Sequence, residues 1–310
     1  MSMEVGFIGL GTMGGPMAAN LRKAGHALTV YDVRRASAES LIAAGAVWAD
    51  TPQQVASASE VVFTSLPGPI EVEAVALGAN GLLAGMRPNG AYFDVSTNSP
   101  TLVRKISAAF AERGAHMLDA PVSGGPSGAA SGKLALWVGG DKAVFDRYKP
   151  VLDAMGDQAQ YCGAIGAGSI AKLVHNLAGV CLQASLAEVF TMGVKAGLDP
   201  LALFEAVQQG VLGRRRTFDG FIGVMENKFD PPSFALRLQH KDASLATALG
   251  RELGVPMRMS NLALEELTEA LGRGWGGLSW PAMTLLQQQR ADVSLAVDAE
   301  RLERMRNTRS

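Results

Sequence analysis

The chain has 310 residues, 48% of them hydrophobic, which is enough to bury a sizeable core and form two domains and excludes a disordered or fibrous protein. Its 28 basic and 29 acidic residues leave a formal net charge of −1, so no broad field draws it to nucleic acid or an anionic membrane surface, and a small neutral or singly charged ligand fits better. Two cysteines, Cys162 and Cys181, cannot make a disulfide framework and show no zinc-type spacing with the four histidines, so neither an oxidising compartment nor a structural metal is expected.

The opening string MSMEVGFIGLG lacks a basic leader, an apolar core and a cleavage site, which predicts a cytoplasmic protein. From residue 3 to about residue 163, the β-rich runs EVGFIGL, ALTVYD, EVVFTSL, GAYFDV, AHMLDAPV and KLALWVGG alternate with helical segments such as PMAANLRKAG and TLVRKISAAFAERG. Strand and helix in alternation predict an α/β domain with a parallel sheet wrapped by helices.

The first run leads into Gly9, Leu10, Gly11, Thr12, Met13 and Gly14, a G-x-G-x-x-G at a strand-to-helix junction. Glycines there let the backbone turn tightly and approach a pyrophosphate at the helix N-terminus, while Gly14 allows close helix–strand packing. The second run ends in Asp32, placed to accept hydrogen bonds from ribose hydroxyls, so NAD is the expected cofactor; Arg34 and Arg35 follow closely enough to meet a 2′-phosphate and leave NADP open. Leu66 and Pro67, with Thr97, lie in the turns that end the runs EVVFTSL and GAYFDV, where an open parallel sheet lines the nicotinamide half of its cleft.

The glycine-rich hinge GAIGAG marks a boundary, and beyond it the pattern is helical over 170–196, 201–209, 243–253 and 259–271. Three segments are expected: residues 1–164 for dinucleotide binding, 165–295 as a helical domain, and a charged tail over 296–310. A helix over 168–196 would be roughly 43 Å long and apolar on nearly all sides, as in the middle of a domain. Its apolar stretch, 173–186, is interrupted by His175, Asn176, Gln183 and Ser185 and falls short of a membrane span.

On that helix Gly168, Lys172, Asn176, Gly179 and Gln183 share one face, polar with small gaps, which suggests the wall of a cleft. Lys172 taken alone also fits an amine that reaches the surface from a helix start. Ser123, Gly124 and Gly125 in DAPVSGG offer a hydroxyl and two N–H groups, an arrangement suited to a carboxylate.

GFIGLGTMG, DAPVSGG, GAGSIAKLVHN and LQHKD, in this order, resemble the β-hydroxyacid dehydrogenases, a family that includes 3-hydroxyisobutyrate dehydrogenase and tartronate semialdehyde reductase. The likeness spans residues 5 to about 293. It implies an N-terminal Rossmann domain, with a doubly wound parallel sheet, followed by an all-helical C-terminal domain, and oxidation of a short 3-hydroxy acid with a nicotinamide cofactor. By motif position it implies that Lys172 is the catalytic lysine and that Asn176 holds it and the substrate. It further implies that Ser123, Gly124 and Gly125 bind the carboxylate, that Lys241 reaches cofactor and substrate, and that the chain forms a homodimer or homotetramer. A lysine serves as acid and base near neutral pH when burial or a second cation, such as Lys241, brings its pKa from about 10.4 to roughly 7–8.

Lys-x-x-His-Asn is also similar to the decarboxylating 6-phosphogluconate dehydrogenases, but Gly179 stands where those enzymes carry a glutamate, so oxidation without decarboxylation is expected. His175, turned about 100° from its neighbour on the helix, is expected to pack or hydrogen-bond. Arg214, Arg215 and Arg216 belong to no motif; they form either a solvated basic turn or a clamp for a second acidic group. An imine reductase shares the architecture but typically lacks the lysine. A non-catalytic dinucleotide-binding protein would not need Lys172, Asn176, Ser123 and Lys241 together.

Overall fold

Central strands of a parallel sheet are covered on both faces and are therefore apolar along most of their length. In β4 (Val61–Thr64) and β5 (Ala91–Asp94) every residue is buried. The computed structural model describes residues 2–195, 197–210, 221–252 and 258–307. In its first compact unit, Met1–Val174, these strands join β1 (Glu4–Ile8), β2 (Ala27–Tyr31), β3 (Val47–Trp48), β6 (His116–Asp119), β7 (Val122–Ser123), β8 (Ala135–Gly139) and β9 (Gln158–Gly163). The order is β3-β2-β1-β4-β5-β6-β8-β7, with β9 beside β8. Pairing is parallel from β3 through β6, β8 runs antiparallel to β6 and β7, and β9 runs parallel to β8. Between β1 and β4 the winding reverses, the switch point at which open α/β sheets take ligands.

The expected run AHMLDAPV is two strands, because Pro121 has no N–H to continue the ladder: β6 stops at Asp119 and β7 resumes at Val122. Phe7, Phe63 and Phe93 are cross-strand partners and form a row of rings, 6.2 Å and 5.4 Å between centroids, closed at one end by Tyr148 edge-on to Phe93 at 5.9 Å. Tyr92 packs on Phe110, ring to ring at 5.3 Å.

The 29-residue helix Ala167–Lys195 continues past Val174. The second unit, His175–Ser310, holds the rest of it with the helices Pro200–Gln209, Ile222–Met225, Leu236–Glu252, Arg258–Gly272, Thr284–Ala291 and Ala299–Asn307. Asp199 caps Pro200–Gln209 by accepting the N–H groups of Leu201 and Ala202, and Phe190 packs between Phe204 and Phe221. The long helix is not buried all round: Leu173, Leu177, Val180 and Leu186 are buried, but Val174 is 63% exposed, and His175, Ala178 and Gly179 are exposed. His175 is therefore exposed rather than packed, and it has an interaction partner, which leaves the hydrogen-bonding part of its expected role. By length and composition the 21 residues Ala167–Ala187 do reach what a bilayer span requires, contrary to the expectation from their polar interruptions; here their buried side packs on protein.

The aromatic row predicts that Phe93→Ala, which removes the ring between Phe63 and Tyr148, lowers the free energy of unfolding by about 3–5 kcal/mol, as read from urea denaturation.

Candidate active site

The loop from β1 to the helix Gly14–Lys23 is shaped by contacts only glycine permits. Gly9 has φ 86°, and a Cβ there would lie 2.2 Å from the Ser65 carbonyl oxygen. A Cβ on Gly14 would lie 1.8 Å from the Gly9 carbonyl oxygen, whereas one on Gly11 would meet nothing within 4 Å. Gly9 and Gly14 make the turn; Gly11 leaves space in front of it. No side chain caps the helix that follows, and Gly15 in its first turn donates to the Gly11 carbonyl oxygen at 3.0 Å, so it is the dipole of the helix start that favours a pyrophosphate. Thr12 is exposed and Met13 half-buried on this turn. The loop fits a dinucleotide.

Asp32, 8% exposed, does more than the sequence suggested. Its Oδ2 accepts the Leu10 N–H at 2.7 Å and its Oδ1 accepts the Arg34 N–H at 2.8 Å, tying the glycine loop to the end of β2. A carboxylate has about four acceptor positions, so capacity remains for ribose hydroxyls. The Arg35 guanidinium lies over the Trp48 ring, 5.1 Å from its centroid, and Arg34 is exposed.

Leu66 and Pro67 follow β4, and Thr97 follows β5, so these residues lie on neighbouring strand ends beside the glycine loop. Asp94, fully buried at the end of β5, organises them. Its Oδ1 accepts from the Thr64 hydroxyl at 2.9 Å and the Ser96 N–H at 3.0 Å, and its Oδ2 accepts from the Asn98 amide at 2.8 Å. The Ser96 hydroxyl in turn accepts the Leu66 N–H at 2.9 Å. The sequence reading passed over Asp94, although a charged residue ending the apolar run GAYFDV was a signal. Burial pushes its carboxyl above the ordinary 3.8, against the pull of its hydrogen bonds.

Between the unfolded and the raised folded pKa, the folded state holds more protons, so stability falls as pH rises through that window. Relative to Asp94→Asn, which has nothing to titrate there, the parent protein is expected to lose stability from about pH 4 upward and then level off, read from urea midpoints across pH.

Beyond β6, Ser123 is half-buried and pairs with Ala135 across the β7–β8 ladder, while Gly124 and Gly125 are exposed with φ 136° and 62°, conformations that favour glycine. Lys172 is half-buried in the second turn of the helix Ala167–Lys195, with Asn176 one turn further on. Gly168 is not the gap it was expected to be: its Cβ would lie 2.1 Å from the Trp137 carbonyl oxygen, so its smallness serves backbone packing. Gly179 does face open space, and Gln183 is buried.

In the second unit, Asn176 and Lys241 meet at Asp242, a carboxylate only 2% exposed. The Asn176 amide donates to its Oδ2, and the Lys241 ammonium lies 3.0 Å from its Oδ1 as an ion pair set off hydrogen-bond alignment. LQHKD was read for its lysine, and the adjoining aspartate, which holds both predicted residues, was missed. Arg214, Arg215 and Arg216 lie outside the described residues. Among the described residues, no three His, Cys, Asp or Glu side chains are grouped to hold a metal ion.

Comparison with known proteins agrees with this geometry. The NAD-binding domain family of 6-phosphogluconate dehydrogenase matches residues 4–166, and the NAD-binding domain family of NADP-dependent 3-hydroxyisobutyrate dehydrogenase matches residues 166–283. The chain is 37% identical to the 2-(hydroxymethyl)glutarate dehydrogenase of Eubacterium barkeri over 95% of its own length and 98% of that protein. It is 41% identical to the 3-hydroxyisobutyrate dehydrogenase of Pseudomonas aeruginosa over 79% of its length and 84% of that protein. The solved structure of Mycobacterium tuberculosis 3-hydroxyisobutyrate dehydrogenase with L-serine is 32% identical and matches with a TM-score of 0.85, over 92% of this chain and 99% of that one. Relatives aligned almost end to end, with a cofactor loop of the required shape, place the chain in the 3-hydroxyisobutyrate dehydrogenase family, as an NAD(P)-dependent hydroxyacid dehydrogenase.

Proposed function

We propose that the chain oxidises a primary 3-hydroxy carboxylic acid to its semialdehyde, or reduces the semialdehyde, with Lys172 as general acid and base. The chemistry shared by its relatives supports this substrate class. 3-Hydroxyisobutyrate, 2-(hydroxymethyl)glutarate and the L-serine of the mycobacterial structure all contain HOCH2–CH–COO⁻ and differ only in the substituent on the middle carbon. A bound nicotinamide would supply the acceptor for the hydride of the carbinol carbon. The Lys172 amine takes the hydroxyl proton as the C=O bond forms, and returns it in the reverse direction. Asn176, its amide held by Asp242, orients the amine and the substrate, and Lys241 serves both cofactor and substrate. Ser123, Gly124 and Gly125 receive the carboxylate.

The observation that carries this reading lies within the first unit, where the glycine loop follows β1, the Ser123 turn follows β6, and Lys172 sits two turns into the helix that begins after β9. We assign Gly9, Gly11, Thr12, Met13, Gly14, Asp32, Leu66, Pro67 and Thr97 to the cofactor. Residues 1–164 are the dinucleotide domain, and 165–295 serve substrate and subunit contacts. Asp32 favours NAD, and Arg35 is engaged with Trp48, which leaves Arg34 as the residue to meet a 2′-phosphate. We assign the chain to the cytoplasm as a homodimer or homotetramer; Leu198, Met259 and Leu262 of the second unit, apolar side chains each at least 45% exposed in the single chain, support the assembly.

Lys172→Ala is expected to lower kcat by about 10²–10⁴ while NADH still binds in a fluorescence titration. The assay follows NADH and NADPH absorbance with 3-hydroxyisobutyrate, L-serine, 2-(hydroxymethyl)glutarate, 3-hydroxypropionate and glycerate, and with tartronate semialdehyde in the reverse direction. Near-normal turnover in the variant removes the lysine from the mechanism; no turnover of any primary 3-hydroxy acid by the parent removes the substrate class.

A further inference from the structure

Asp119 ends β6 with 1% of its surface exposed, between the buried apolar residues Leu118 and Ala120. A carboxylate in such a place costs free energy unless its oxygens find donors. Each finds one on the backbone: Gly166 N–H donates to Oδ1 at 2.7 Å and Ser169 N–H to Oδ2 at 2.6 Å. The donors lie 47 and 50 residues further along the chain. Ser169 is in the first turn of the helix Ala167–Lys195, where N–H groups have no partner within the helix. Asp119 is thus a cap supplied from a distant strand.

The seat around this cap is tight. A Cβ on Gly139 would lie 2.5 Å from Asp119 Oδ1 and 2.8 Å from both the Ala164 oxygen and the Ala167 nitrogen, and Gly168 admits no Cβ beside the Trp137 carbonyl. The helix start therefore rests on β6 and β8 backbone to backbone, with the carboxylate as its tie. Lys172 is three residues beyond Ser169, and Ser123 is four residues beyond Asp119.

We propose that Asp119 is a positioning residue for the dehydrogenation: its carboxylate fixes the start of the long helix against β6 and so holds the Lys172 amine in register with the Ser123 turn. This rests on the assignment of Lys172 and Ser123 to the reaction. Buried and bonded on both oxygens, Asp119 touches neither substrate nor cofactor; it acts through the helix. Each residue of helix advances 1.5 Å, and a misplacement of about 1 Å costs on the order of 10² in rate.

The test uses the full-length enzyme with NAD and the best acid of the panel. Asp119→Asn keeps the shape but leaves one N–H facing an amide NH2. Gly139→Ala keeps the charge and puts a methyl group 2.5 Å from Asp119 Oδ1 and 2.8 Å from the Ala167 nitrogen at the helix start. In both variants kcat is expected to fall about 10- to 100-fold, with the NADH dissociation constant changed less than about twofold and amide exchange faster at Gly166 and Ser169. In a Lys172→Ala background, Asp119→Asn is expected to cost nothing further, because both changes disable the same group. Unchanged kcat with a lowered melting temperature would make Asp119 a folding cap alone and overturn the proposal, as would an equal further loss in the Lys172→Ala background. Normal turnover of Lys172→Ala instead defeats the underlying assignment, a distinct result. Should Asp119→Asn fail to fold, Gly139→Ala decides by the same split between kcat and NADH affinity.

Discussion

A carboxylate withdrawn from water must find its donors inside the protein. At the ends of β2, β5 and β6 those donors include backbone N–H groups of the loops that follow or adjoin. Asp32 holds Leu10 and Arg34, Asp94 holds Ser96, and Asp119 holds Gly166 and Ser169. Asp94 and Asp119 are also register partners in the β5–β6 ladder, so two buried acids stand side by side. Burial pushes both carboxyls upward, and the hydrogen bonds oppose it. Apolar residues at these positions would avoid that cost but could not hold a loop. The carboxyl edge of the sheet is built to fix loops at the expense of some stability, which fits a surface that presents groups to a ligand.

The second unit repeats the device on helices. Asp242 is buried where an unpaired charge would be strongly destabilising, and its partners are Asn176 and Lys241. A carboxylate that binds an amide on one oxygen and an ammonium on the other restricts both side chains, which otherwise have many rotamers. Every cluster of proposed site residues thus has an aspartate behind it, and none of these four aspartates is exposed.

Much of the architecture was legible because periodicity reports burial. The six β-rich runs correspond to β1, β2, β4, β5, β6 with β7, and β8. Strand β3 is only two residues long, and β9, QAQYCG, interleaves polar residues at the margin of the sheet, so neither gave an apolar run. The helix Leu236–Glu252 starts seven residues before the predicted 243 because its first turns bury Gln239 and Asp242, polar residues that conceal the apolar stripe. The glycine loop was readable because its chemistry is local. Asp119 and Asp242 were not assigned roles for the opposite reason: Asn176 lies 66 residues from Asp242 and Ser169 lies 50 from Asp119, separations at which no local pattern signals a hydrogen bond.

The shared HOCH2–CH–COO⁻ unit of the relatives' ligands sets a geometric demand. Its carboxylate and hydroxyl are separated by two carbons, so an anchor for the first and an amine for the second must keep a fixed spacing whatever the third substituent is. If Ser123 and Lys172 are that anchor and that amine, one tie between β6 and the helix start satisfies the demand, because a rigid helix carries the amine at a set distance from its own first turn. The substituent on the middle carbon can then change among methyl, carboxyethyl and ammonium without disturbing the tie. Selectivity in such a scaffold falls to side chains outside it, which explains how relatives at 37% and 41% identity to this chain act on different acids.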